Sequence, residues 1–274
     1  MIPAAFDYRR ASTMAEALQL LADGGEDAKL LAGGHSLLPL MKLRLAAPSL
    51  LVDIGRLTDL SYVRENGDRV SVGALTRHRD LETNEVLNAH APLLAHVAGQ
   101  VGDPQVRHRG TIGGSIAHGD PASDLPAACL ALGAVFVAEG PNGRREIDAG
   151  EFFQGFLETA LMPDEILVEI NFPKATGAGW AFQKFNRRAQ DWAIVGVAAV
   201  AGERPGVALV NMGPVPLRAS AVEAALASGA SARDAAEHAA DGLDPPEDLN
   251  ASAEYRTHLA KVLVRRALEE ARVA

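Results

Sequence analysis

A chain of 274 residues that is 48% hydrophobic and 22% charged has the length and apolar content for a core in one or two domains. Its net charge of −9 argues against nucleic acid as a partner, because phosphate backbones are gripped by basic faces. The single cysteine, Cys129, excludes an internal disulfide and any iron–sulfur or thiolate zinc site built from this chain alone. Residues 3–55 read as a small α/β unit. Ser12 or Thr13 can cap a helix, with Glu16 at capping-box distance from Thr13. Met14, Ala17, Leu18 and Leu21 give that helix an apolar stripe, and Gly24-Gly25 stop it. Lys29-Leu30-Leu31 is a short strand, Leu37 to Leu45 reads as helical, and Leu50 to Ile54 is a buried strand.

Residues 60–175 form a second α/β unit. Leu60–Val63 and Arg69–Gly73 make a hairpin around Asn66-Gly67, and Thr76 is a candidate cap for a helix running through Leu81. A helix from Pro92 to Val101 precedes the segment Arg107–Asp120. A second hairpin, Ala134–Ala138 with Arg144–Ile147, turns at Pro141-Asn142-Gly143, and the strand Ile166–Ile170 ends before Pro173. Residues 177–274 supply three strands, Phe182–Phe185, Ala193–Val200 and Val207–Asn211, with a basic loop at 187–190 and Pro214-Val215-Pro216 closing the sheet. Helices follow at about 219–228, 231–240 and 250–272. The last of them carries Tyr255, Leu259, Val262 and Leu263 on one face, a candidate packing or docking surface. Cys129, in an alanine- and leucine-rich run, reads as a small buried hydrophobe.

Two glycine-rich segments carry the candidate chemistry. The first is Leu31-Ala32-Gly33-Gly34-His35-Ser36-Leu37 and the second Thr111-Ile112-Gly113-Gly114-Ser115. Paired glycines permit turns that point backbone N–H groups at an oxygen-rich anion, and Ser36, Thr111 and Ser115 add hydroxyls. Two such turns, far apart in the chain, can grip one ligand with more than one phosphate. Neither is a P-loop or a strand-flanked G-x-G-x-x-G.

This pair of segments, in this order and spacing, resembles the FAD pyrophosphate loops of the medium subunits of molybdenum hydroxylases, the carbon monoxide dehydrogenase and xanthine dehydrogenase family. The resemblance runs nearly end to end. It includes Ile2–Tyr8, Asp120–Pro126, Lys184–Arg188 and Asp191–Val195. It implies an α+β fold with a two-subdomain PCMH-type FAD-binding domain at 1–176, its subdomains at about 1–56 and 57–176. A C-terminal domain at 177–274, a three-stranded antiparallel sheet with helices, would follow.

The resemblance further implies non-covalent FAD, although some more distant flavoproteins attach it through a histidine in the loop that here holds His35. By the same resemblance, His118 lies near the pyrophosphate or ribityl chain, Asp124 bonds flavin hydroxyls, and Leu161 offers a backbone contact to the flavin. Lys184 reaches the ring edge, where a cation would raise the flavin potential. Read without it, Asp124 is also a candidate helix N-cap and Lys184 a solvated strand lysine. Trp192 is open between covering the flavin and serving as a core or partner contact.

The sequence holds no Ser-His-Asp order, paired acids or metal-ligand cluster that would make a substrate site of its own. That fits an electron-transfer oxidoreductase subunit. The resemblance implies a molybdopterin-containing large subunit and a small subunit with two [2Fe–2S] clusters, arranged as a dimer of heterotrimers, with electrons leaving FAD for an external acceptor. The alternatives are a self-sufficient FAD-dependent reductase of the enolpyruvyl-UDP-acetylmuramate reductase type and a non-redox nucleotide-binding protein. No signal peptide or membrane span is expected. The expected location is the cytoplasm, with a peripheral place at the inner membrane face through the complex also compatible.

Overall fold

The structure, a computed structural model, describes residues 2–203 and 205–272; Met1, Arg204 and the last two residues of the expected 177–274 domain lie outside them. Three larger sheets organise the chain, with a small two-stranded one, Phe153–Gly155 and Glu158–Thr159, beside them. The first is a parallel sheet in which Leu50–Asp53 lies between Asp7–Arg10 and Ala28–Leu31. The helix Met14–Gly24 links the two outer strands, and Leu37–Leu43 lies in the crossover from Ala28–Leu31 to its parallel neighbour Leu50–Asp53. Thr13 is its N-cap, accepting from the Glu16 N–H at 3.1 Å. The Glu16 carboxylate reaches back to the Ser12 N–H at 2.7 Å. Gly25, with φ 60°, ends the helix as the sequence predicts.

The second sheet is antiparallel, in the order Val63–Asn66, Arg69–Gly73, Ile166–Pro173, Val135–Gly140 and Gly143–Asp148. Its three central strands are buried on both faces, while the edge strands Val63–Asn66 and Gly143–Asp148 are mostly exposed. Val70, Val72, Phe136, Ile170 and Phe172 join the main core, while Val137, Ile166 and Val168 join Ala17, Leu21, Val52 and Ile54 beneath the parallel sheet. Alternation sends residues of the strand Ile166–Pro173 into both cores, and a bulge shifts its phase. Against Val135–Gly140, the register steps from Leu167 directly to Glu169, leaving Val168 as the extra residue. That step reverses the alternation, so Leu167 and Ile170 face the same core although three positions apart.

The third sheet is the expected C-terminal antiparallel one: Trp180–Phe185, Val195–Val200 and Gly206–Val210. A short fourth strand, Leu217–Arg218, continues it beyond the prolines. Between this sheet and the second lies the helix Asp124–Leu132, with every residue buried. Cys129 is fully buried there, and burial pushes its thiol up, so it is the inert hydrophobe the sequence implies.

Several local expectations change. The first strand of the Asn66-Gly67 hairpin is Val63–Asn66, not Leu60–Val63, because Thr58–Leu60 forms a tight helical turn. Thr76 does not cap a helix: its hydroxyl bridges the Tyr62 backbone, and the helix begins at His78. Helices at Glu85–His90 and Pro104–Arg109, too short for periodicity to reveal, are added. The last helix, Ala253–Ala271, is not a free docking face. It packs Leu259, Leu263, Val264 and Leu268 against its own sheet, with Tyr255 left at the edge. No helix among the described residues is long and apolar enough to cross a membrane.

Arg256 on that helix has no exposed surface. Its guanidinium donates to the Ile194 carbonyl and pairs with Asp248 at 2.9 Å. It thereby anchors the end of the segment that follows Trp180–Phe185. Arg256→Ala should cost about 3 kcal/mol, from the cavity and from the carbonyl left unpaired. The check is thermal denaturation, where a fall of several degrees is expected at about 2–4 °C per kcal/mol. An unchanged midpoint would contradict this anchor.

Candidate functional site

The three sheets converge on a cleft of about 850 Å³, within the range of cofactor sites. Of the residues singled out in the sequence, Leu31, Ala32, Gly33, Gly34, His35, Ser36 and Leu37 line it, as do Thr111, Gly113, Gly114, Ser115, His118, Asp124, Leu161, Lys184 and Trp192. Ile112 does not: its side chain is fully buried in the main core.

The first segment is built as a donor cradle. The strand Ala28–Leu31 ends, Gly34 turns the chain at φ 77°, and the helix Leu37–Leu43 begins. The N–H groups of Gly33 through Leu37 donate to no acceptor among the described residues. Polar groups left without partners at a cavity wall call for a ligand or water. Gly34 serves conformation rather than the ligand path: an added Cβ would meet Leu38 at 2.9 Å.

The second segment is not a loop. Thr111 caps a helix, Ile112–His118, accepting from the Gly114 N–H at 3.1 Å. The neighbouring amides are also occupied, Ile112 on the Thr76 carbonyl at 3.1 Å, Gly113 on Ala74 at 2.8 Å and Ser115 on Thr111 at 3.0 Å. The expectation that both glycine pairs turn free N–H groups inward therefore fails here. The helix start is docked on the 74–76 backbone, which takes the donors first. An added Cβ on Gly113 would lie 2.5 Å from Ala74, so that glycine permits the docking. Ser115 and the hydroxyl of Thr111 remain as this side's polar contribution to the wall.

At the third corner, Lys184 Nζ donates to Asp124 Oδ2 at 2.7 Å and to the Gln100 carbonyl at 3.1 Å. Both charged side chains are over nine-tenths buried. Lys184 is thus neither a solvated strand lysine nor a free cation aimed at a ring. Asp124 is not the N-cap either: Ser123 holds that position and Asp124 opens the helix. Its other oxygen, Oδ1, is enclosed without a partner. Burial pushes the Asp124 carboxyl up to about 6 while Lys184 pulls the other way. Burial likewise holds the His118 imidazole below its usual range, with Asp120 opposing. Trp192, 58% exposed, stands at the mouth with Met162 and Leu157, which removes the core alternative for it.

Sequence reasoning missed His78, which lines the cleft, is 4% exposed and carries an unpartnered ring nitrogen. No motif marks it. It arrives through tertiary pairing, an isolated bridge between Arg77 and Thr111 and a bond from the His78 N–H to the Gly110 carbonyl at 3.1 Å.

Residues 4–175 match the family model for the FAD binding domain in molybdopterin dehydrogenase, and residues 180–271 match the carbon monoxide dehydrogenase flavoprotein C-terminal domain. The carbon monoxide dehydrogenase medium chain of Hydrogenophaga pseudoflava is 45% identical over 282 residues, spanning 99% of this chain and 98% of the relative. The 6-hydroxypseudooxynicotine dehydrogenase complex subunit alpha of Paenarthrobacter nicotinovorans is 40% identical, spanning 99% and 96%. A solved carbon monoxide dehydrogenase from Hydrogenophaga pseudoflava, lacking the Mo-pyranopterin moiety of its cofactor, superposes with a TM-score of 0.95 at 47% identity, covering 99% of this chain and 98% of that one. The chain belongs to the family of FAD-binding medium subunits of molybdenum-hydroxylase oxidoreductases.

Proposed function

We propose that the chain passes electrons from the [2Fe–2S] clusters of a partner subunit, through FAD bound in this cleft, to an external acceptor. The observation that carries this reading is the run of unpartnered N–H groups from Gly33 to Leu37 in a cleft of cofactor size. Aligned amides with no competing acceptor suit a pyrophosphate, and Ser36 and Ser115 add hydroxyl donors from the two walls. The orphaned Oδ1 of Asp124 is an acceptor suited to a hydroxyl or N–H of the flavin half. These residues fit FAD, which supplies a carrier that takes electrons singly and releases them as a pair.

Asp124 modifies the role proposed for Lys184. With a carboxylate at 2.7 Å, the ammonium's field over the cleft is largely offset, so the pair orients the ligand more than it charges the site. His118 and Leu161 complete the wall as polar and backbone neighbours, and Trp192 guards the mouth. The 1–176 and 177–274 division enters this reading as a flavin-binding part and a part that closes the cleft with Lys184 and Trp192.

The complex we propose contains a molybdopterin large subunit and a small subunit with two [2Fe–2S] clusters, as a dimer of heterotrimers, in the cytoplasm or peripherally at the inner face of a membrane. One relative is a chain of a carbon monoxide dehydrogenase and another a subunit of a 6-hydroxypseudooxynicotine dehydrogenase complex. That spread supports a substrate set by the large subunit rather than by this chain. The basic loop at 187–190, exposed beside Trp192, is the candidate partner-facing segment.

Purification of the native complex through this chain, followed by metal and flavin analysis, tests the reading. Molybdenum, iron and FAD should co-purify; a chain recovered alone, or with FMN in place of FAD, would count against it. Gly34→Val places a β-branched residue at φ 77° and against Leu38. It should weaken FAD retention at least about tenfold, the equivalent of one to two kcal/mol of lost loop geometry. Flavin absorbance at wild-type level in that variant would reject the role given to the 33–37 loop.

A further inference from the structure

We propose that His78 is a further contact to the dinucleotide's pyrophosphate, a neutral imidazole donating its Nε2–H to a phosphate oxygen beside the 33–37 amides. The inference rests on the reading of the cleft as an FAD site and adds a residue to it.

His78 is the first residue of the helix His78–Glu82. It is tied to the second segment by its own N–H and by the bridge of Arg77 to Thr111. It lines the cleft together with Gly110 and the Gly33–Leu37 run. The two ring nitrogens differ. Nδ1 is enclosed with no hydrogen-bond partner, whereas Nε2 is not enclosed. We place the proton of the neutral ring on Nε2, which leaves at Nδ1 an unpaired acceptor rather than an unpaired N–H and turns a donor toward the cleft. Burial, with the nearby guanidinium groups of Arg77 and Arg107 acting in the same direction, pulls this imidazole down to about 4, and it stays neutral at physiological pH.

Gly110 keeps the Nε2 edge open. A Cβ there would lie 2.6 Å from both Nε2 and Cδ2 of His78. Its backbone, at φ −58° and ψ 144°, is one any residue adopts, so the absence of a side chain answers to space beside the ring. Of the nearby guanidinium groups, Arg107 is paired with Glu82 at 3.2 Å, while Arg77 donates to the Arg109 carbonyl. A neutral N–H donor next to a row of free amides matches an anionic ligand group.

The test is FAD titration of the full-length chain, alone and in its co-purified complex after flavin removal, followed by flavin fluorescence and paired with thermal denaturation of the apoprotein. In His78→Leu, FAD affinity should fall roughly tenfold to a hundredfold, the range of one hydrogen bond to a charged group. Its apoprotein should melt no lower than wild type, because a buried unpaired nitrogen has been removed. In His78→Gln the side-chain amide reaches the Nε2 position, and most of the affinity should return. Gly110→Ala should lower affinity with His78 intact. Wild-type affinity in His78→Leu would overturn the proposal. So would equal losses in the Leu and Gln variants with a lowered apoprotein midpoint, which would mark a packing role. Failure of the wild type to bind FAD in either form would overturn the reading of the cleft, and the assignment of His78 with it.

Discussion

Everything in the cleft turns on where the backbone donors of two glycine pairs go. In the first segment the parallel ladder stops at Leu31, and the amides from Gly33 to Leu37 are left without acceptors. In the second, the amides of residues 112–115 are all taken by Thr76, Ala74 and Thr111. One segment presents free donors to the cleft and the other braces it. An unpaired buried amide costs on the order of 1–3 kcal/mol, so a row of them is tolerated only where water or a ligand meets it.

The rest of the fold fixes the two walls of the cleft against each other. The strand Ile166–Pro173 buries alternating residues into two cores, which fixes the parallel sheet and its donor loop against the larger sheet. The enclosed helix Asp124–Leu132 carries Asp124 into the cleft from one side, and the C-terminal sheet brings Lys184 to meet it. Arg256 pins Ile194, two residues past Trp192, to the last helix. A buried charge pair contributes little net stability, since desolvation offsets its attraction. The Asp124–Lys184 pair is better understood as setting the place of an unsatisfied carboxylate oxygen than as holding domains together.

Much of this was legible in the sequence, and the part that was not has identifiable causes. The capped helix after Thr13, the hairpins at Asn66-Gly67 and Asn142-Gly143, and the C-terminal sheet follow from local caps, turns and alternation. All the singled-out residues but Ile112 line one cleft: the glycine pairs and hydroxyls were marked by their own chemistry, whereas His118, Asp124, Leu161, Lys184 and Trp192 were marked by the family resemblance. What failed depends on contacts distant in sequence. The helical state of Ile112–His118 rests on docking to residues 74–76, and a G-G pair within a short segment gives no helical period to read. The Asp124–Lys184 pairing spans 60 positions, and His78 reaches the site only through Gly110 and Thr111. The apolar stripe of the last helix was visible, but a stripe does not say whether its own sheet or another subunit covers it.

Amide hydrogen exchange, resolved by residue and recorded with and without FAD, tests the division of labour between the segments most directly. The amides of Gly33 to Leu37 should exchange rapidly in the apoprotein and become protected when FAD is added, while those of residues 112–115 should be protected in both states. Amides at 33–37 that are already protected without FAD, or protection gained at 112–115 alone, would contradict the account.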